Sequence, residues 1–196
     1  GLLLMMSQLA TAAVGCSATG TVEAMGDDSW TYYVTVTWNF HDAAVPDHFN
    51  LSLEYLDDCP HYQPGNPEQE SFIVTRRGGS TAAPGCIDED GNPQRSIYWE
   101  SRLMYENPDC WLPSRHIMWI NDGLTQNCTP ITEDTGLFRF ASRSAPVGPD
   151  MFYDAIVIKA SDGTCVVCDY FGSLPGCNDW VPVEYSTWGT VKALYR

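Results

Sequence analysis

The segment WTYYVTVTWNF alternates cleanly. Trp30, Tyr32, Val34, Val36, Trp38 and Phe40 fall on one face, and Thr31, Tyr33, Thr35, Thr37 and Asn39 on the other, the period of two that a strand with one buried side requires. FNLSLEY repeats the device, setting Phe49, Leu51, Leu53 and Tyr55 against Asn50, Ser52 and Glu54. Between them HDAAVPD supplies the breakers of a connection, so these two strands are expected to pair. Further strands are predicted at SFIVT, SIYWES, HIMWI, GLFRFAS, YDAIVIKA and TCVVCDYF, each bounded by Gly, Pro, Asn or Asp. KASDGTC reads as a hairpin turn, with Asp162-Gly163 supplying the positive φ values such turns need.

Short amphipathic strands at this spacing predict an all-β fold, an antiparallel β-sandwich of immunoglobulin or fibronectin-III type. Residues 19–180 form the expected domain, with a loop-rich insertion at 60–95 laid over one end. The tail, 181–196, predicts a short helix: Pro182 breaks the preceding structure, Ser186 caps, and Trp188, Val191 and Tyr195 share a face. Residues 1–18, GLLLMMSQLATAAVGCSA, carry no charge and pass from apolar to small residues. That is the pattern of a secretory signal's core and cleavage region, against the alternative of a buried N-terminal strand or helix. AVGC resembles a lipobox ending at Cys16, with Ala13 where Leu is usual, so lipidation of Cys16 and cleavage near Ala18 both stay open. The apolar run is too short for a transmembrane segment, which takes about 20 apolar residues.

Charge narrows the partners. Twenty-five acidic against ten basic residues give a net charge of -15, which repels phosphate backbones and anionic lipids and excludes nucleic acid as a partner. A hydrophobic content of 44% with 12% aromatic residues places the chain far from disorder.

In an exported chain, eight cysteines read as a disulfide framework. Cys59, Cys86, Cys110, Cys128, Cys165, Cys168 and Cys177 are its expected members, and three bridges with one leftover thiol follow if Cys16 is removed or lipidated. The lone CxxC at Cys165 and Cys168 lacks the second pair that a zinc site needs. It also lies on a predicted strand, where residues three apart face opposite sides. Cys165 or Cys168 is therefore expected to reach Cys177, while Cys59 and Cys86 bracket one excursion and Cys110 and Cys128 another.

Candidate chemistry is sparse. DEDGN offers Asp88, Asp90 and Asn92 at alternate positions, hard oxygen ligands for calcium, although Gly91 is misplaced for an EF-hand. No motif requires a cofactor. His41, Asp42, Asp47 and His48 sit in a connection and make a weak metal set. No G-x-S-x-G elbow or phosphate-cradling loop occurs. Trp99, Trp111 and Trp119, with Tyr98, are the binding candidates, as rings that stack on sugars; core packing is the competing reading. NLS at Asn50 and NCT at Asn127 match glycan acceptors and are read as chance.

The ending TWGTVKALYR resembles that of uncharacterised secreted bacterial proteins that finish in a TWG-x-[IV]-K-x-[LM]-[YF]-R-like motif. GLFRFASRSAPVGPDMFYDAIVIKASDGTCVVCDYFGSLPGC is similar to the closing half of such exported β-sandwich domains. The resemblance implies a secreted or cell-surface protein, extracellular or associated with the outer membrane. The function expected is a non-catalytic module with a binding, adhesive or structural role, meeting protein or polysaccharide at the surface or assembling with itself. A carbohydrate-binding module is the first alternative. A secreted hydrolase is the second, and it needs two carboxylates or a Ser-His pair converging in a cleft.

Overall fold

In a computed structural model the described residues are all-β. The structure describes residues 15–25, 29–40, 44–53, 73–74, 77–87, 90–104, 110, 116–121 and 128–176. Among them ten strands follow in order: β1 Gly15–Met25, β2 Ser29–Asn39, β3 Pro46–Ser52, β4 Ile73–Val74, β5 Arg77–Ile87, β6 Pro93–Met104, β7 His116–Asn121, β8 Glu133–Ser142, β9 Pro146–Ala160 and β10 Cys165–Pro175. The expected tail helix falls outside the described residues.

The sandwich expectation is corrected. The strands run β2-β1-β10-β9-β3-β7-β6-β5-β8, and β8 pairs back onto β2, which closes a nine-stranded barrel. β4 lies on the same edge of β8 as β5, further along. Every pair is antiparallel except β1 with β10, the first strand against the last. Alternation alone cannot separate the two architectures, since a sandwich and a barrel both bury every second residue. What closes this one is β8, which carries β5 on one side and β2 on the other.

The interior is solid. Trp38, Trp99, Trp119, Tyr32, Tyr170, Phe49, Phe138 and Phe140 are fully buried within it. Eight strands already leave room for side chains, and a ninth widens the lumen, so large rings suit it. Phe49 sits centrally, its ring 4.4 Å from Phe138, 5.1 Å from Trp99 and 5.2 Å from Trp38. That contact corrects the expected pairing of β2 with β3. The two strands face each other across the lumen, while β2 takes β1 and β8 as neighbours and β3 takes β7 and β9.

The polar tips of the buried rings are satisfied, as low-dielectric burial demands. Trp38 Nε1 donates to the Ile131 carbonyl (3.1 Å), Trp99 Nε1 to Thr81 Oγ1 (3.0 Å) and Trp119 Nε1 to the Arg139 carbonyl (3.2 Å). Tyr32 donates to the Ser144 carbonyl and Tyr170 to that of Ser173. Tyr170 lies across Gly20 and Gly172, where a Cβ would run into its ring and hydroxyl. Glycine is needed there for close approach.

Among the described residues three bridges staple the barrel: Cys16–Cys168, Cys86–Cys128 and Cys110–Cys165. The expected reach to Cys177 and the two bracketing closures are thereby corrected. Cys165 faces out and Cys168 in, as their spacing required, so each finds a partner on its own side. Cys16 spends its sulfur on Cys168 rather than on a lipid. The boundary drawn at residue 18 falls inside β1. Likewise the supposed insertion at 60–95 contains β5 and the start of β6, paired as part of the wall. Cys59 and Cys177 lie outside the described residues.

Candidate functional site

Two of the tryptophans expected to bind, Trp99 and Trp119, are core residues. Trp99 is 1% exposed and Trp119 fully buried, each with its indole N–H already committed. Trp111 lies outside the described residues, as does Asp88 of the calcium trio. Asp90 and Asn92 occupy the exposed turn between β5 and β6. Among the described residues no group of three or more His, Cys, Asp or Glu is placed to hold a metal. Of the weak metal set, His48 Nδ1 and Asp47 Oδ2 lie 2.9 Å apart on β3, while His41 and Asp42 are outside the described residues. Asn50 is wholly buried and donates from Nδ2 to the Val157 carbonyl, so the NLS acceptor is inaccessible in the folded chain.

An unforeseen surface stands out on the outer face of β9 and β10. Phe171 is directly opposite Met151 in the ladder, and both are close to half exposed. Thr19 of β1 continues the row on the other side of Phe171. Val147 and Val167 extend the apolar character along the two strands, and Tyr153 stands out at 77% exposure.

A bulge projects that tyrosine. Ile156 pairs with Cys168 and Phe152 with Tyr170, so Tyr153, Asp154 and Ala155 together oppose the single residue Asp169. In an unbroken strand Asp154 would share the inward phase of Phe152 and Ile156, and a carboxylate would enter the aromatic interior at heavy cost. The added residues turn it outward instead. Asp154 takes a left-handed φ of 52°, which aspartate tolerates better than most residues. Its N–H donates to Asp169 Oδ1 at 3.0 Å, fixing the bulge across the strand pair. Bulges of this kind commonly re-aim a side chain.

Asp150, Asp154 and Asp169 are all exposed around this apolar row. At the far end of the hairpin a turn is present where expected, with the positive φ at Gly163 and not at Asp162. Gly163 N–H donates to the Ala160 carbonyl, Gly163 carries φ +88°, and Thr164 N–H donates to Asp162 Oδ1, lowering that carboxyl's pKa.

A smaller apolar row, Tyr98 and Leu137 flanking Ser80, crosses β6, β5 and β8. It lies near Arg139, Glu100 and Arg102, with Arg102 and Glu100 ion-paired at 3.2 Å.

The missed surface had a sequence signal. DMFYD and DYFG each place adjacent aromatic residues on a strand, and adjacent positions must take opposite faces. One ring of each pair is therefore forced outward.

Among the described residues no helix is long and apolar enough to cross a membrane. The barrel itself buries its rings and shows Thr, Glu and Asp outside, the reverse of the alternation in a membrane barrel. Compared with known proteins, the chain matches no family model and no curated sequence.

Proposed function

We propose that this chain is an exported bacterial module of the cell surface or extracellular space that works by binding, in adhesion or assembly, and carries out no catalytic step. The observation that carries this reading is the exposed Met151–Phe171 row with Tyr153 raised beside it. Aromatic residues and methionine are enriched at protein interfaces, and contiguous apolar surface on a soluble protein marks interaction sites. Three disulfides agree with an oxidising compartment. The resemblance of the TWGTVKALYR ending to that of secreted bacterial proteins points the same way.

A carbohydrate-binding module is the second reading, favoured by one feature: two exposed rings, Tyr153 and Phe171, stand beside carboxylates able to accept hydrogen bonds from hydroxyls.

Panning separates the two. The disulfide-intact chain and a Tyr153→Ser/Phe171→Ser variant are passed over immobilised polysaccharides and over envelope and extracellular-matrix proteins. Protein capture lost in the variant supports adhesion or assembly. Polysaccharide capture lost in the variant transfers the function to sugar binding, and capture indifferent to the substitutions removes this face from consideration.

A further inference from the structure

We propose that the occupant of the β9–β10 face is a cationic protein surface, one that sets Lys or Arg side chains around an apolar centre. This rests on the reading of that face as a protein-docking surface and adds the chemistry of the partner.

The centre is Met151, Phe171 and Tyr153; the surround is anionic. Asp169 lies two positions from Phe171 on the same outward phase, while Asp150, exposed as well, pairs with Gly172 on the alternate phase one position from the Met151–Phe171 pair. Asp154 stands beside Tyr153 in the bulge, held by Asp169. All three carboxylates are exposed. Among the described residues of these two strands the basic side chain is Lys159, at the opposite end beside the hairpin turn and beyond the buried Val157. The face is thus an apolar row inside a field of one sign.

That field decides among occupants. A second copy docking through the same face would bring these carboxylates against their own images, in chains that each carry -15. Nucleic acid and anionic lipid have the wrong sign. A neutral sugar gains nothing from the field, and Met151, Val147 and Val167 offer it no planar ring. A basic partner with an apolar core gains on both counts, since charge complementarity speeds encounter and sets register while ring burial supplies affinity.

The test uses two synthetic peptides, alternating Leu/Lys and alternating Leu/Glu, each fluorescently labelled and titrated against the disulfide-intact chain by anisotropy. The Leu/Lys peptide should bind and the Leu/Glu peptide should not. Phe171→Ser should weaken binding roughly tenfold, the loss typical of an interface anchor. Asp154→Asn/Asp169→Asn, which keeps an Oδ1 acceptor for the bulge, should weaken it too and flatten its dependence on salt. Tyr153→Ser, at a position mostly in solvent, repeats the apolar test should Phe171→Ser perturb folding, which near-ultraviolet circular dichroism monitors. Leu/Lys binding that survives both apolar substitutions reports overall charge alone and overturns the proposal, as does the absence of binding. Leu/Glu binding that depends on Phe171 overturns the cationic partner and leaves the docking surface standing. Binding of neither peptide through Phe171 or Tyr153 removes both.

Discussion

Replacing Cys16 and Cys168 with alanine should cost more than removal of either other described bridge, because it releases the short parallel seam between β1 and β10. The bridge spans 152 residues, and restricting a loop of that length in the unfolded chain is worth about 5 kcal/mol. The other bridges offer a shorter path. Running from Cys16 to Cys86, across to Cys128, back to Cys110, across to Cys165 and on to Cys168 leaves roughly 90 residues, and the logarithmic dependence lowers the figure by only about 0.5 kcal/mol. A further bridge between Cys59 and Cys177 would bring it to about 4 kcal/mol. Against the 5–15 kcal/mol typical of a whole domain, roughly, that is a large fraction. Only a short parallel register, Ala18 with Tyr170 and Thr19 with Phe171, otherwise joins β1 to β10. Urea denaturation with the remaining disulfides intact gives the loss. Hydrogen exchange locates it, and protection should fall first at Ala18, Thr19, Tyr170 and Phe171 while the long β2–β8 ladder keeps its own. A loss below about 1 kcal/mol, or protection lost evenly around the ring, would refute the reasoning.

Other outcomes follow from the packing. Gly20→Ala should destabilise by about 1–3 kcal/mol through overpacking, and Tyr170→Phe should recover part of that, because the phenol oxygen is the atom nearest the added carbon; additive losses in the double variant would refute the contact. Trp99→Ala should cost about 3–5 kcal/mol and leave binding per folded molecule unchanged; a selective loss of binding would return Trp99 to a ligand site. Burial raises the phenol pKa values of Tyr32 and Tyr170 above the ordinary tyrosine range, with the neighbouring Tyr170 adding to the effect on Tyr32. The folded state therefore holds these protons more tightly than the unfolded. Their stabilising contribution is complete below about pH 10 and is lost as pH rises through the folded values, so the denaturation midpoint should fall above pH ~10. A Tyr32→Phe/Tyr170→Phe variant should flatten that fall, and an unchanged profile would refute it. Alkylation of the denatured chain should modify no cysteine before reduction and all eight after it; modification at Cys59 or Cys177 before reduction would exclude a fourth bridge.

Strand positions were well marked in the sequence because one face of each is buried. The phases of Tyr32, Val34, Val36 and Trp38, and of Phe49, Leu51 and Leu53, are those seen in the barrel. β1 was hidden because its opening, Gly15 to Ala18, is made of small residues that read equally as a cleavage region. Its smallness serves the seam, where Gly20 makes room for Tyr170. β5 was hidden for a related reason: Gly78 and Gly79 lie tight against Trp119, Ser101, Phe138 and the β8 backbone, so contiguous glycines that look like a loop are the thin part of a wall. Pairing was illegible because it depends on which strands meet around a ring. The alternation in WTYYVTVTWNF and FNLSLEY is the same whether Trp38 and Phe49 touch along a ladder or across a lumen. Exposed tryptophans were expected for binding, yet a nine-stranded interior takes up the largest rings first. What remained for the outer face, among the described residues, were smaller rings such as Tyr98, Tyr153 and Phe171.

The first strand of this barrel hydrogen-bonds to the last. During synthesis, or passage through a membrane from the N-terminus, β1 must wait for nearly the whole chain to emerge before its outer edge is covered. Until then the aromatic lining has an open side. Contacts so distant in sequence make closure slow.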